Sequence, residues 1–187
     1  KAERIVLNAM QRMSAIASKT RSYVEILKGT NTKILDTRKT TPGFRALEKW
    51  AVALGGGVNH RFALYDMIML KDNHIDYAGG IEAAISKTRK YLDEKEKDLK
   101  IEVETRSIDE VNEVIAVGGI DRIMLDNFTP AETLEAVKLI DGRYEIESSG
   151  GITLETLKDY AESGVDFISV GALTHSAGSL DISLKAI

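Results

Sequence analysis

Hydrophobic and polar positions change rhythm once along this chain, at Gly29. Before it, Val6, Met10, Met13, Ala17, Val24 and Leu27 recur at spacings of three, four and seven, which predicts one amphipathic helix over the first 28 residues with these side chains on its buried face. After it, the apolar residues fall into six short runs: 33–36, 67–70, 100–104, 120–126, 144–148 and 166–170. Each is rich in Ile, Val, Leu or Met, as expected of strands covered on both faces. Helical patterns separate them. Ile81, Ala84, Ile85 and Thr88 share one side of 80–92, and Ser107 followed by Glu110 marks a capping box opening 107–117. Thr129-Pro130 opens a helix through Ile140, with Pro where its missing N–H is harmless. Thr153 is the expected N-cap of 153–163, and Gly164 its stop.

The later strand starts recur about every 22 residues, a strand–helix–strand repeat that predicts a parallel sheet with right-handed crossovers. An open nucleotide-binding sheet would place Gly-x-Gly-x-x-Gly after its first strand. Here that strand runs into Asp36-Thr37-Arg38-Lys39. The expected fold is therefore α/β: a parallel β/α barrel of about six strands, TIM-like and incomplete if no further strands join it, behind a long N-terminal helix. Nothing divides residues 1–187 into two domains; Gly55-Gly56-Gly57 reads as a loop.

Composition removes whole classes of function. With 43% hydrophobic residues and a net charge of −4, a disordered chain is excluded. The longest run of large apolar residues, Met67-Ile68-Met69-Leu70, is far short of the ~20 needed to span a bilayer. No cysteine is present, so thiolate metal sites, disulfides and cysteine nucleophiles are out, and a cytoplasmic protein is expected. The acidic balance argues against a nucleic-acid partner. Yet residues 33–71 hold seven Lys/Arg against three Asp/Glu, a local +4 that leaves −8 elsewhere. That contrast suggests a small anionic ligand.

In a β/α barrel the active site forms where strands end, so residues just past each run are the candidates. In order these are Arg38-Lys39, then His60-Arg61 in the following connection, Lys71, Glu104, Asp126, Ser149-Gly150-Gly151 and Val170-Gly171-Ala172. Taken singly, each has a bland reading. Lys and Arg after strands are usually solvated, Glu104 and Asp126 suit helix capping, Lys71-Asp72-Asn73-His74 suits a polar turn, and the glycines suit positive φ. The repetition at one end of successive strands favours function. Guanidinium forks such as Arg38 and Arg61 pair with carboxylates in a bidentate way, and the glycine loops before helices suit a phosphate. Glu104 and Asp126 suit ribose hydroxyls or a hydrated Mg²⁺.

The motifs Thr37-Arg38-Lys39-Thr40-Thr41-Pro42-Gly43, Gly55-Gly56-Gly57-x-x-His60-Arg61 and Leu70-Lys71-Asp72-Asn73-His74 closely resemble quinolinate phosphoribosyltransferase. So do Glu102-Val103-Glu104, Met124-Leu125-Asp126-Asn127-Phe128, Ser149-Gly150-Gly151-Ile152-Thr153 and Ile168-Ser169-Val170-Gly171-Ala172-Leu173-Thr174. The resemblance implies conversion of quinolinate and phosphoribosyl pyrophosphate to nicotinate mononucleotide, pyrophosphate and CO₂, with Mg²⁺. It implies that Arg38, His60 and Arg61 hold the carboxylates, and that Lys39 and Lys71 lie between quinolinate and the sugar pyrophosphate. Glu104 and Asp126 would meet the ribose and its metal, directly or through water. Lys39, Lys71, Glu104 and Asp126 are the implied catalytic set; Ser149, Gly150, Gly151, Val170, Gly171 and Ala172 would take the 5-phosphate. Arg4, in Ala2-Glu3-Arg4, matches an arginine that reaches the partner's substrate in a homodimer, and the family's N-terminal sandwich domain has no counterpart in this chain. The competing readings are a Schiff-base aldolase using Lys71 and a non-catalytic barrel subunit.

Overall fold

The structure, a computed structural model, describes residues 2–185. The long first helix is present as α1 (Glu3–Ile26), but its buried face differs from the expected one. Leu7, Ile16, Thr20, Tyr23 and Leu27 point inward, while Val6 and Met10 are about half exposed. A helical stripe shows which residues share a face, whereas burial depends on which part of that face meets a neighbour. Here the neighbour is α2 (Arg45–Leu54), a helix inside the long connection after the first strand.

Six strands follow: β1 (Lys33–Leu35), β2 (Ile68–Leu70), β3 (Ile101–Thr105), β4 (Arg122–Asp126), β5 (Glu145–Ser149) and β6 (Phe167–Ser169). All pairings are parallel, in the order β1-β6-β5-β4-β3-β2. Adjacent parallel strands lie ~4.8 Å apart, so β1 and β3 would be about 19 Å from each other in a flat sheet. His60, on the segment that bridges to β1 through Leu35 and Val58, nevertheless brings Nε2 within 3.0 Å of Glu102 on β3. The sheet therefore curls into the expected barrel. Among the described residues β1 and β2 do not pair, and the barrel stays open there.

Local signals set the helices around it. Thr129 accepts from the Glu132 N–H at 3.3 Å while Glu132 takes the Thr129 N–H at 2.8 Å, so α6 (Pro130–Ile140) has the reciprocal cap. Ser107 caps α5 (Ile108–Val117) through the Glu110 N–H, but the Glu110 carboxylate turns to Arg106 instead. α4 (Ile81–Glu94) buries Ile81, Ala84, Ile85 and Leu92. The bland alternative of a polar turn at Lys71-Asp72-Asn73-His74 is not what forms: the segment enters α3 (Asp72–Ala78), with His74 Nδ1 accepting the Lys71 N–H at 2.9 Å. One expectation fails locally: after β5 the chain makes a turn before α7 (Leu157–Glu162), whose N-cap is Thr156, three residues later than the expected Thr153, because Thr156 first closes a side-chain turn onto the Thr153 N–H. A one-turn helix, α8 (Ala172–His175), follows β6.

The apolar core lies between sheet and helices, where Val103, Ile123, Leu125, Ile146 and Ile168 meet Ile85, Val111, Val114, Ala136 and Leu157. The alternate strand positions face inside the barrel, and most of them are polar. Glu102, Glu104, Arg122 and Glu147 are all buried there. A strand alternates its side chains, so one face can feed an oily core while the other lines a charged interior. The short runs were expected to be covered on both faces, and they are, but the inner face is mostly polar, with Met69 and Met124 as its apolar members.

Candidate active site at the open strand ends

Beneath the mouth sits an ion network. Arg122 Nη1 lies 3.0 Å from Glu147 and 3.9 Å from Glu102, its Nη2 reaches Glu145 at 3.0 Å, and its guanidinium stacks 4.1 Å from the Phe167 ring centroid. His60 Nε2 sits 3.0 Å from Glu102 and 3.2 Å from Glu147. Burial alone would lower the imidazole's pKa; hydrogen bonds and charge from Glu102 and Glu147 outweigh it and push it up to about 9. Burial, then Glu147's charge, hold Glu102 up to about 7. Glu147 goes down despite burial, through its contacts with His60.

His60, Glu102 and Glu147 are close enough to suggest a metal centre. Their partners say otherwise. Arg122 already balances the carboxylates, and the imidazole between them, with its pKa raised by their contacts and charge, takes up a proton and so offers a cation no free lone pair. The cluster is an ion network. His60, expected to offer its ring to a carboxylate ligand, lines the cavity, with Nε2 at ion-pair distance from Glu102 and Glu147.

Above this floor opens a cavity of about 720 Å³. The structure brings Arg38, Lys39, His60, Arg61, Lys71, Glu104 and Asp126 together around it, with Ser149, Gly150, Gly151, Val170, Gly171 and Ala172. Arg4 is exposed at the start of α1 and does not line its own chain's cavity. Arg38 Nε is buried with no hydrogen-bond partner among the described residues, an unspent donor. Burial first, and then Arg38's charge, lower the Arg61 pKa. Lys71 Nζ pairs closely with Glu104 Oε2. Asp126 is raised, by burial and then by the charge of Glu104.

The segment carrying His60 and Arg61 is anchored from below. Asp36, fully buried past β1, accepts Lys49 Nζ at 2.5 Å and the His60 N–H at 2.8 Å. Burial raises Asp36 and lowers Lys49, each partly offset by the other's charge. On the opposite wall, Gly150 and Gly151 have φ of +99° and +60°. A Cβ on Gly150 would sit 2.8 Å from the Asn127 backbone nitrogen, so this loop packs against the end of β4 with glycine only. The helix expected just behind it is short and late, which leaves loop amides rather than a helix terminus to meet an anion. The Val170 N–H is spent on the Leu35 carbonyl at 3.0 Å, so Val170 supplies wall and not donor.

Sequence reasoning missed Glu147, Arg122, Met69, Met124 and His175. The first four sit on the alternate positions of their strands, a period-two signal that could have found them. His175, on α8 against Gly171, carried none.

Fold and site define an α/β-barrel domain whose open strand ends hold a cationic cavity walled on one side by glycine loops. Residues 16–185 match the family described as quinolinate phosphoribosyl transferase, C-terminal domain, and the chain belongs to that family. It is 50% identical over 198 aligned residues to the carboxylating, chloroplastic nicotinate-nucleotide pyrophosphorylase of Arabidopsis thaliana, covering 98% of this chain and 56% of the relative. A probable carboxylating nicotinate-nucleotide pyrophosphorylase of Bacillus subtilis is likewise 50% identical, over 97% of this chain and 62% of its own length. The crystal structure of NadC from Streptococcus pyogenes superposes with a TM-score of 0.92 at 46% identity, covering 99% of this chain and 64% of that one. That of nicotinate-nucleotide pyrophosphorylase from Pyrococcus furiosus gives 0.75 at 16% identity over 96% of this chain and 51% of that one, a likeness of fold. The chain thus spans somewhat over half the length of the curated relatives it matches. Among the described residues no helix is long and apolar enough to cross a membrane.

Proposed function

We propose that this domain provides the site for phosphoribosyl transfer from phosphoribosyl pyrophosphate to quinolinate, with decarboxylation to nicotinate mononucleotide. The observation that carries the reading is the make-up of the mouth: two guanidiniums, one with an unspent buried donor, share one cavity with Glu104, Asp126 and two glycine loops. A planar dicarboxylate fits Arg38 and Arg61, each able to make paired charge-assisted bonds. His60 lies under them, its Nδ1 2.7 Å from the Arg61 backbone nitrogen. The sugar phosphate fits the amides of Gly150, Gly151, Gly171 and Ala172.

Phosphoribosyl transfer develops positive charge on the ribose, so the protein's work is placement and electrostatic support. Glu104 and Asp126 stabilise that charge. Lys39 and Lys71 flank the departing pyrophosphate, and Lys71 is released from Glu104 as the pyrophosphate draws it. CO₂ then leaves from the ring carbon beside the new pyridinium nitrogen, whose positive charge stabilises the electron pair left on that carbon until a proton from solvent takes the place of CO₂, and no protein nucleophile is required. The residues fit Mg²⁺: Asp126 is raised partly by the like charge of Glu104, a repulsion a divalent cation between them relieves. Bound with the pyrophosphate, Mg²⁺ neutralises its charge; Glu104 and Asp126 would hold it, directly or through water. Arg4 serves the neighbouring subunit of a homodimer, and a cytoplasmic location suits the cysteine-free composition.

A Schiff-base lysine needs a desolvated amine, whereas Lys71 is half exposed and ion-paired. Borohydride should trap no adduct on it. The direct test is product analysis with the full-length protein, quinolinate, phosphoribosyl pyrophosphate and Mg²⁺. Equal amounts of nicotinate mononucleotide and CO₂ are expected; neither product forming would overturn the reading.

A further inference from the structure

Glu48 is fully buried on α2, outside the cavity, and nothing in the proposed chemistry uses it. Its carboxylate is nevertheless well supplied with donors. Oε1 accepts Arg12 Nε at 3.0 Å, Arg12 Nη2 at 2.9 Å and the Thr41 hydroxyl at 2.8 Å. Oε2 accepts the Thr41 N–H at 3.0 Å. Thr41 closes the loop that carries Arg38 and Lys39 into the mouth. The same loop is held from the far side by the Thr174 hydroxyl, which donates to the Lys39 carbonyl at 2.8 Å. Arg12 completes the frame by reaching the Thr174 carbonyl at 2.5 Å and that of Ala177. One carboxylate therefore joins α1, α2 and the loop after β1, and its guanidinium partner joins all three to α8.

We propose that Glu48 is a positioning residue for quinolinate binding, acting through Thr41 to fix the Arg38–Lys39 loop and through Arg12 to lock that loop to α8. The proposal rests on the reading of the mouth given above. An unsupported loop of this charge would splay: Arg38 lies close enough to Arg61 for its charge to lower that group's pKa, and their mutual repulsion drives the loop toward solvent. The carboxylate opposes this at the backbone, so neither cationic side chain is neutralised. A glutamine cannot do the same, because its single oxygen leaves an amide NH₂ facing either Thr41 or Arg12, both donors.

The test is Glu48→Gln in the full-length protein, read by hydrogen exchange and by steady-state kinetics. Exchange at amides 38–41 should rise about tenfold or more, as expected from losing hydrogen bonds to a charged group. The KM for quinolinate should rise about tenfold with a fall in kcat, and the KM for phosphoribosyl pyrophosphate by a smaller factor of about three, because that substrate meets the displaced loop through Lys39 only and keeps the Gly150–Gly151 loop, which does not touch Glu48. Thr41→Val, which removes only the hydroxyl arm, should shift exchange and quinolinate KM in the same direction by about threefold, and serves if Glu48→Gln does not fold. Unchanged exchange at 38–41, or a lower melting temperature with both KM values unmoved, would overturn the proposal. If exchange rises while the unaltered protein turns over no quinolinate, the loop's dependence on Glu48 stands and the functional reading falls.

Discussion

Arg38 and Arg61 are the side chains on which the substrate reading turns. Each faces the cavity, and each stands to make a charge-assisted pair with a carboxylate. Arg38→Ala or Arg61→Ala should weaken quinolinate binding by about ten- to a hundredfold, the ~1.5–3 kcal/mol of one such pair, and change phosphoribosyl pyrophosphate affinity far less. Calorimetry checks this; unchanged quinolinate affinity in both variants would remove the assignment. The phosphate loop calls for a different choice of residue. At Gly150 a valine would push into Asn127 and the end of β4, so loss of anion binding there would be mixed with unfolding. Gly151, at φ +60° with open space around its Cβ position, is the cleaner probe. Gly151→Ala should cost about 1–2 kcal/mol in backbone conformation and weaken phosphate binding, with the barrel's circular dichroism retained. Phosphate bound as tightly as before would place the anion elsewhere.

Among the helices, α1 and α2 depend on a glycine that the alternation of apolar residues does not reveal. A Cβ on Gly55 would sit 2.5 Å from the Ala17 carbonyl oxygen and 2.7 Å from Thr20 Cβ. Its φ of −74° is ordinary, so the constraint is purely one of space. Gly55→Ala should therefore destabilise by about 1–3 kcal/mol, as overpacking does, and lower the melting temperature by about 2–4 °C for each kcal/mol. An unaltered melting temperature would mean that the helices are free to move apart. Because Arg12 and Glu48 meet across the same contact, such a shift would also be transmitted to the Arg38 loop.

The whole barrel shares one polar interior, and its stability should follow the charge state of that interior. His60's folded pKa, about 9, lies above the ordinary imidazole value. Its contribution is complete below about pH 6.5, the unfolded value, and is lost as pH rises through about 9. Glu102, held up to about 7, makes stability fall over the lower window between its unfolded value and neutrality. Denaturant titrations should show stability declining from pH 6.5 to 9 by at most about 3 kcal/mol, with His60→Gln flattening the slope. An equally steep decline in that variant would assign the pH dependence to other groups.

Periodicity was enough for the strands and most helices: the six apolar runs of the sequence reappear within a residue or two as β1 to β6, because burial against helices demands Ile, Val and Leu at spacing two. The polar residues at the strand ends were equally legible, since a parallel barrel gathers those ends at one mouth whatever the helices do. Three things were not. Val6 and Met10 look like core residues until α2 is seen to meet a different part of the α1 face. His60 looks like a lone cationic candidate until Glu102 and Glu147, far along the chain, are seen 3.0 and 3.2 Å from its Nε2. Glu48 looks like an ordinary helix acid until Arg12 and Thr41 converge on it. Each depends on partners that only the curling of the sheet and the crossing of α1 and α2 bring within hydrogen-bond reach, and a one-dimensional pattern carries no record of such distances.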